Sequence, residues 1–229
     1  MASQYSLLDY DSDEDREQNP EIPVSHLASA AFFIADLLDR HGITYALMGG
    51  FAVKLMGGTR NTRDVDIAFQ APGKMRDLCR VVEVEPRLVI PNTKLLGNMM
   101  KIFVLTGPRY DNCPTALRVE VGLIETVWTI GFQSSPRELN VNRKQLTVQT
   151  SSGPRSIYTL NILYLLRGKM AAFMSRSSEN DLYDIRHLLR TYPDEIRASV
   201  HRLDPEAVIY FLGTVSEHNR AYWANFFGQ

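Results

Sequence analysis

Two aspartates one residue apart, placed shortly after a pair of glycines, constrain this chain more than any other feature in it. The stretch reads Met48-Gly49-Gly50-Phe51-Ala52, then Gly57-Gly58-Thr59-Arg60-Asn61-Thr62-Arg63-Asp64-Val65-Asp66. In extended backbone, alternate side chains share a face, so Asp64 and Asp66 point one way while Val65 and Ile67 point into a core. Carboxylates held side by side repel unless a cation lies between them, and a hard divalent ion suits oxygen ligands. Glycines let backbone approach a phosphate closely, and the amides of a following helix start favour an anion. Together these residues are expected to form a site for a nucleoside triphosphate and its metal.

The rest of the chain has to build a scaffold for that site. At 229 residues, 45% hydrophobic and 22% charged, it is long enough for one large domain or a domain with a helical extension. No apolar run approaches the roughly 18 to 20 residues of a membrane span, so no membrane partner is expected. Met1-Ala2-Ser3-Gln4 is not a basic stretch leading into an apolar one, and Cys79 and Cys113 suggest no disulfide framework. The expected compartment is therefore cytoplasmic or nuclear. Residues 1–22 hold seven acids against Arg16, a balance of −6 in a chain of net −1, so the body carries about +5. That segment is expected to be a disordered acidic tail, and the mildly positive body suits a polyanionic ligand without demanding nucleic acid.

Periodicity divides the remainder into a mixed α/β catalytic unit, residues 23–150, and a helical C-terminal region, residues 151–229. Val24, Leu27, Ala31, Ile34 and Leu38 recur at helical spacing, with Ser25 as cap and Gly42 as stop. Strands are expected at 43–48, 64–69, 87–90, 101–106, 116–123, 146–149 and 155–158, and short helices at 51–56 and 74–84. Residues 124–142 carry no readable pattern, and Ser151-Ser152-Gly153-Pro154 is a turn signal. Helices are expected at 162–176, 181–191, 194–202 and 204–216, with Thr159, Asp181, Asp194 and Asp204 near their starts.

Metal-dependent phosphoryl or nucleotidyl transfer needs carboxylates for divalent ions, cations for the departing pyrophosphate, and access for the acceptor. Glu120 is the best third acid, because it stands on the polar face of a strand whose other face is Leu117, Val119, Val121 and Leu123. If that strand neighbours 64–69, Asp64, Asp66 and Glu120 converge, and Glu120 helps to deprotonate the acceptor.

The pattern carried by Gly49, Gly50, Ala52, Arg60, Thr62, Asp64 and Asp66 resembles the nucleotidyltransferase superfamily that includes DNA polymerase β. Within it, the chain looks most like small enzymes related to the AbiEii toxins and uncharacterised fungal and bacterial relatives. Lys169, Ala172, Arg176, Asp181 and Asp184 resemble the K-x-x-A…R…D-x-x-D signature of that group. The resemblance implies an α/β (α+β) fold, a minimal mixed sheet flanked by helices. It makes Asp64, Asp66 and Glu120 the Mg²⁺ ligands and catalytic acids. Gly49 and Gly50 would lie against the triphosphate, with Lys169 and Arg176 neutralising it. Arg60 and Thr62 complete the expected nucleotide-binding set. The chain departs from its relatives at Asn180, where a base is common, and at Gly50, where many have serine.

Several of these residues also have a plainer reading. Asp181 and Asp184 share a helical face and are as well explained by pairing with Lys169 or Arg176 as by a direct role. Lys54 and Arg63 are expected to be structural, and the five histidines lack metal-ligand spacing. Tyr222, Trp223, Phe226 and Phe227 are expected to dock the C-terminus rather than stack on bases. The resulting expectation is a Mg²⁺-dependent enzyme that moves a nucleoside monophosphate (NMP) from a nucleoside triphosphate (NTP) to a hydroxyl. The acceptor would be an RNA 3′ end, a protein or a small molecule. The rival is a catalytically silent relative that binds nucleotide or a protein partner.

Overall fold

A computed structural model describes residues 1–10, 21–93, 97–126, 138–150 and 153–229. Eight strands form one mixed sheet: β1 (Ser3–Tyr5), β2 (Thr44–Met48), β3 (Asp64–Gln70), β4 (Leu88–Pro91), β5 (Met99–Thr106), β6 (Leu117–Glu125), β7 (Arg143–Thr150) and β8 (Gly153–Leu160). Their order across the sheet is β1-β4-β5-β6-β3-β2-β8-β7. The pairs β1/β4, β3/β6 and β2/β8 are parallel, while the other neighbours run antiparallel. The helices are α1 (Val24–Arg40), α2 (Gly49–Leu55), α3 (Met75–Val82), α4 (Ile162–Arg176), α5 (Glu179–Thr191), α6 (Pro193–Arg197), α7 (Pro205–Thr214) and α8 (Glu217–Phe226).

Strand alternation sets the inner face. Val65, Ile67, Val119, Val121 and Leu123 are completely or almost completely buried, and α1 packs across β2, β3, β5 and β6 with Leu27, Ile34 and Leu38 turned inward. The helix starts after Pro23 rather than at a Ser25 cap, and its first residue, Val24, is exposed. The C-terminal helices make a second layer in which α4 packs on α5 and α7. Here Asn161, not Thr159, caps α4, its side chain accepting from the Tyr164 amide at 3.2 Å. Asp204 caps α7 through the Glu206 amide at 2.9 Å.

Other elements depart from the sequence reading. The expected tail fails at its start: Ser3–Tyr5 is a strand in register with Val89–Pro91. Residues 11–20, most of the acidic run, lie outside the described residues. The sheet continues through β8 to Leu160, past the expected boundary at 150, because Thr159 pairs with Leu47. Residues 194–202 form the short α6 and a 3₁₀ turn, Val200–Arg202, rather than one helix. The last helix, α8, was not expected, although its aromatics do dock: Phe226 and Phe227 are buried, and Trp223 meets both rings. Tyr222 stays exposed. Among the described residues, no helix is long and apolar enough to cross a membrane.

Asp111 ties the turn after β5 to the body. Its carboxylate accepts from Ser29 Oγ, from the amides of Gly107 and Cys113 at 2.9 Å, and from Arg87 Nη2 at 2.5 Å. Burial alone would raise this acid, but the Ser29 hydroxyl and the two amides outweigh it and hold its pKa at about 2. An acid depressed in the folded state stabilises above its unfolded pKa, roughly 3.9, and that contribution fades as pH falls toward 2. Asp111→Asn should therefore cost about 1 to 3 kcal/mol in urea unfolding at pH 7. The gap to wild type should close on acidification below about pH 4, and a gap independent of pH would contradict the assignment.

Candidate active site

Backbone register assembles the site. The antiparallel pairing of β2 and β3 sets Met48 opposite Asp66, so the turn into α2 at Gly49 lies directly beside Asp66. The parallel pairing of β3 and β6 sets Asp64 opposite Glu120 and Asp66 opposite Gly122. All three acids thus rise from one face of the sheet and line a cleft of about 560 Å³, together with Gly50, Arg60, Thr62, Lys169 and Arg176. An adjoining hollow of about 300 Å³ shares Asp66, Lys169 and Arg176 and is otherwise lined largely by Met48, Gly49, Leu160, Tyr164 and Ala172. The nine residues singled out from sequence therefore meet at one place.

The glycines have a physical reason that the motif alone did not give. Gly49 has φ +68°, and a Cβ there would overlap Asp66 Oδ2. A Cβ at Gly122 would come within 2.8 Å of Asp66 Oδ1, so Asp66 is enclosed between two glycines on neighbouring elements. Gly50 gives the same clearance to Arg60 and to Thr62 Oγ1, which a Cβ would approach to 2.8 Å. Gly49→Ala should therefore displace Asp66, cut turnover at least about tenfold and destabilise by about 1 kcal/mol or more. Wild-type rate and thermal midpoint in that variant would show that the turn yields freely.

Electrostatics single out the aspartate pair. Burial, then the neighbouring Asp64 charge, push Asp66 up to about 7, even with Lys169 pulling the other way. Thr62 Oγ1 donates to Asp64 Oδ1 at 3.0 Å and fixes that side chain, so Thr62 orients an acid. Two carboxylates on one strand, of which Asp66 is disfavoured as a charge by burial and by Asp64, fit a divalent ion completed by phosphate oxygens.

Glu120 has protein partners of its own. It stands beside Asp64 in register, but Lys101 Nζ holds Oε1 at 2.9 Å and Tyr10 donates its hydroxyl to Oε2 at 3.3 Å. Among the described residues, no three His, Cys, Asp or Glu side chains gather as a metal cluster. Glu120 thus stands alongside the Asp64–Asp66 pair, with its oxygens held by Lys101 and Tyr10.

The opposite wall is a buried ion network. Asp184 accepts from Arg60 Nε and Nη2 at 2.7 and 2.6 Å and pairs with Lys169 Nζ at 2.8 Å. Asp181 pairs with Lys169 at 3.2 Å and takes Arg176 Nε and Nη2 at 2.7 Å. Both aspartates are fully buried. Burial pulls Asp181 upward, but Arg176 and Lys169 outweigh it and keep it below the ordinary carboxylate range. Burial likewise opposes charge on Arg60, yet Asp184 raises its pKa above the usual value.

The two roles left open for Asp181 and Asp184 thus resolve toward pairing, with Arg60 as an additional partner. Arg60 itself is committed to Asp184, and its Nη1 bonds the Asn61 carbonyl at 2.8 Å. Side-chain exposure ranks the three cations: Arg176 is 62% exposed, against 16% for Arg60 and 8% for Lys169. Arg176 is the one of them most open to an incoming anion. Ile22, Arg63, Arg118, Ser178 and Asn180 also line the cleft and were not assigned to it from sequence. Asn180 had a signal, being next to the D-x-x-D signature; Ile22 had none.

A mixed sheet carrying an aspartate pair beside a Gly-Gly turn, faced by Lys169 and Arg176 of α4, defines a nucleotidyltransferase-type protein. The chain belongs to the family described as nucleotidyl transferase AbiEii toxin, type IV TA system, whose profile matches residues 35–209. It is accordingly a nucleotidyltransferase, of the class that transfers an NMP group. No curated protein matches the sequence. Among solved structures, it is similar to an antigenic nucleotidyltransferase-like protein from Paracoccidioides brasiliensis, at TM-score 0.55 and 19% identity over 89% of this chain and 92% of that one. It is also similar to the lincosamide antibiotic adenylyltransferase LnuA with lincomycin bound, at TM-score 0.41 and 20% identity over 69% and 92%. A further neighbour is ANT(2″)-Ia in complex with adenylyl-2″-tobramycin, at TM-score 0.46 and 12% identity over 86% and 97%.

Proposed function

We propose that this protein moves an NMP from a Mg²⁺-bound NTP to a hydroxyl acceptor and releases pyrophosphate. The observation that carries the reading is the placement of Asp64 and Asp66 side by side in a cleft that Arg176 and Lys169 also line. When bound, Mg²⁺ would neutralise charge at the α-phosphate and leaving group, which is the chemistry such a pair is suited to support. Mg²⁺ keeps few protein ligands and completes its shell with phosphate and water, so two carboxylates are sufficient.

Each residue then has a task. Asp64, held by Thr62, and Asp66, held between Gly49 and Gly122, bind the ion. Arg176 meets the triphosphate, with Lys169 behind it as a fixed positive charge. Arg60 braces the loop before β3 against α5 through Asp184. Glu120, one strand over from Asp64, faces the acceptor side and accepts its proton.

The deciding experiment offers α-labelled NTPs with Mg²⁺ and total cell extract to the pure protein. Label on an RNA end, a protein or a small molecule, with matching pyrophosphate, supports the proposal and identifies the acceptor. Thermal stabilisation by Mg-NTP without pyrophosphate across the extract would instead make the protein a silent nucleotide binder.

A further inference from the structure

Tyr10 is the feature of the site that nucleotide binding leaves unused. Tyr5 and Tyr10 are anchored to the sheet. Strand β1 pairs with β4, the Asn92 amide donates to the Tyr5 carbonyl at 2.9 Å, and Tyr5 Oη donates to the Lys101 carbonyl at 2.9 Å. The rings of Tyr5, Tyr10 and Phe103 then pack edge to face in a closed triangle, with centroids 5.2 to 5.5 Å apart. Phe103 lies opposite Glu120 in the β5/β6 register, so this cluster stands on the sheet face that carries the acids. Anchored in this way, Tyr10 presents its hydroxyl to Glu120 Oε2. A hydroxyl donating to the carboxylate on the acceptor side of the site has the arrangement required of an acceptor nucleophile.

We infer that Tyr10 is an intramolecular acceptor, so that the protein nucleotidylylates its own N-terminal segment. The inference rests on the proposed function and names one substrate for it. Tyr10 Oη attacks the α-phosphorus of the bound NTP and forms an Oη–P bond. The bond from that phosphorus to the bridging oxygen of the β-phosphate breaks, and pyrophosphate leaves. The phenolic proton passes to Glu120 Oε2, which already accepts its hydrogen bond. The product is an O-nucleotidylyl tyrosine whose added charge has to leave the aromatic cluster, so modification would also release Glu120 from Tyr10.

The test incubates the full chain with Mg²⁺ and each α-labelled NTP in turn, without added acceptor. Peptide mapping by mass spectrometry follows, on that sample and on protein as isolated from cells. The inference expects an NMP adduct on the peptide containing Tyr10, at least a tenfold loss of label in Tyr10→Phe, and no label at all in Asp66→Asn. Tyr5→Phe, altered in the same ring cluster but with Tyr10 Oη still on Glu120, should keep the label. Thermal midpoints of both phenylalanine variants report whether the cluster survives. Label on another residue, or retained in Tyr10→Phe, would overturn the inference. So would an unlabelled chain in a preparation that labels a molecule in cell extract, a result that leaves the proposed function standing. If neither the chain nor the extract is labelled, the proposed function falls and self-modification falls with it.

Discussion

Asp66→Asn should abolish nucleotidyl transfer, lowering kcat by at least about a thousandfold, or roughly 4 kcal/mol of transition-state stabilisation, while leaving the fold intact. The two halves of this expectation have separate causes. Catalysis is lost because asparagine offers one neutral oxygen where an ion needs charge. Stability is kept because the wild-type carboxylate is disfavoured by burial and by Asp64, as its pKa near 7 records. Replacing it with a neutral isostere removes that repulsion, so the metal-free thermal midpoint should hold or rise. Asp64→Asn should also lose transfer, and in addition the anchor that Thr62 provides. Steady-state pyrophosphate release and thermal melts decide the matter, and wild-type turnover in either variant would refute the metal assignment.

The largest structural effect is expected at Asp184. Asp184→Ala strands Arg60, whose side chain is 16% exposed, and leaves Lys169, 8% exposed, with Asp181 as its remaining partner. Removing one partner of a buried ion pair typically costs about 3 to 5 kcal/mol, because the remaining charge is left without compensation. Urea unfolding should show a loss of that size, with turnover falling as Lys169 and the Arg60 loop shift. Combining Asp184→Ala with Arg60→Met should recover part of the stability, since the stranded cation is the source of the cost. A loss within about 0.5 kcal/mol of wild type would mean that water reaches these cations freely. Asp184 would then not be what holds the wall of the site.

How much of this was readable beforehand depends on the range of the interactions involved. The D-x-D strand and the alternation around Glu120 are local patterns, and a period of two fixes which side chains share a face. Lys169 and Arg176 came from the family resemblance, with helical spacing within α4 consistent with a shared face. The Arg60–Asp184 pair joins positions 124 apart in sequence, so no local signal carries it. Strand β1 was hidden for a related reason: three residues in an acid-rich stretch find their partner at Val89–Pro91, and only tertiary packing on Phe103 favours them. Register correctly put Glu120 beside Asp64, but could not reveal that Lys101 and Tyr10 hold its oxygens. The glycine pair was read as room for phosphate, whereas it first makes room for Asp66 and Arg60.

The central claim is that the Asp64–Asp66 pair holds a divalent ion shared with a triphosphate. Mn²⁺ titration followed by electron paramagnetic resonance, with a non-hydrolysable NTP analogue present, tests it most directly. Wild type should take up protein-bound Mn²⁺ in a nucleotide-dependent way, and Asp66→Asn should leave the ion bound only to free nucleotide. Equal uptake by both proteins would contradict the account.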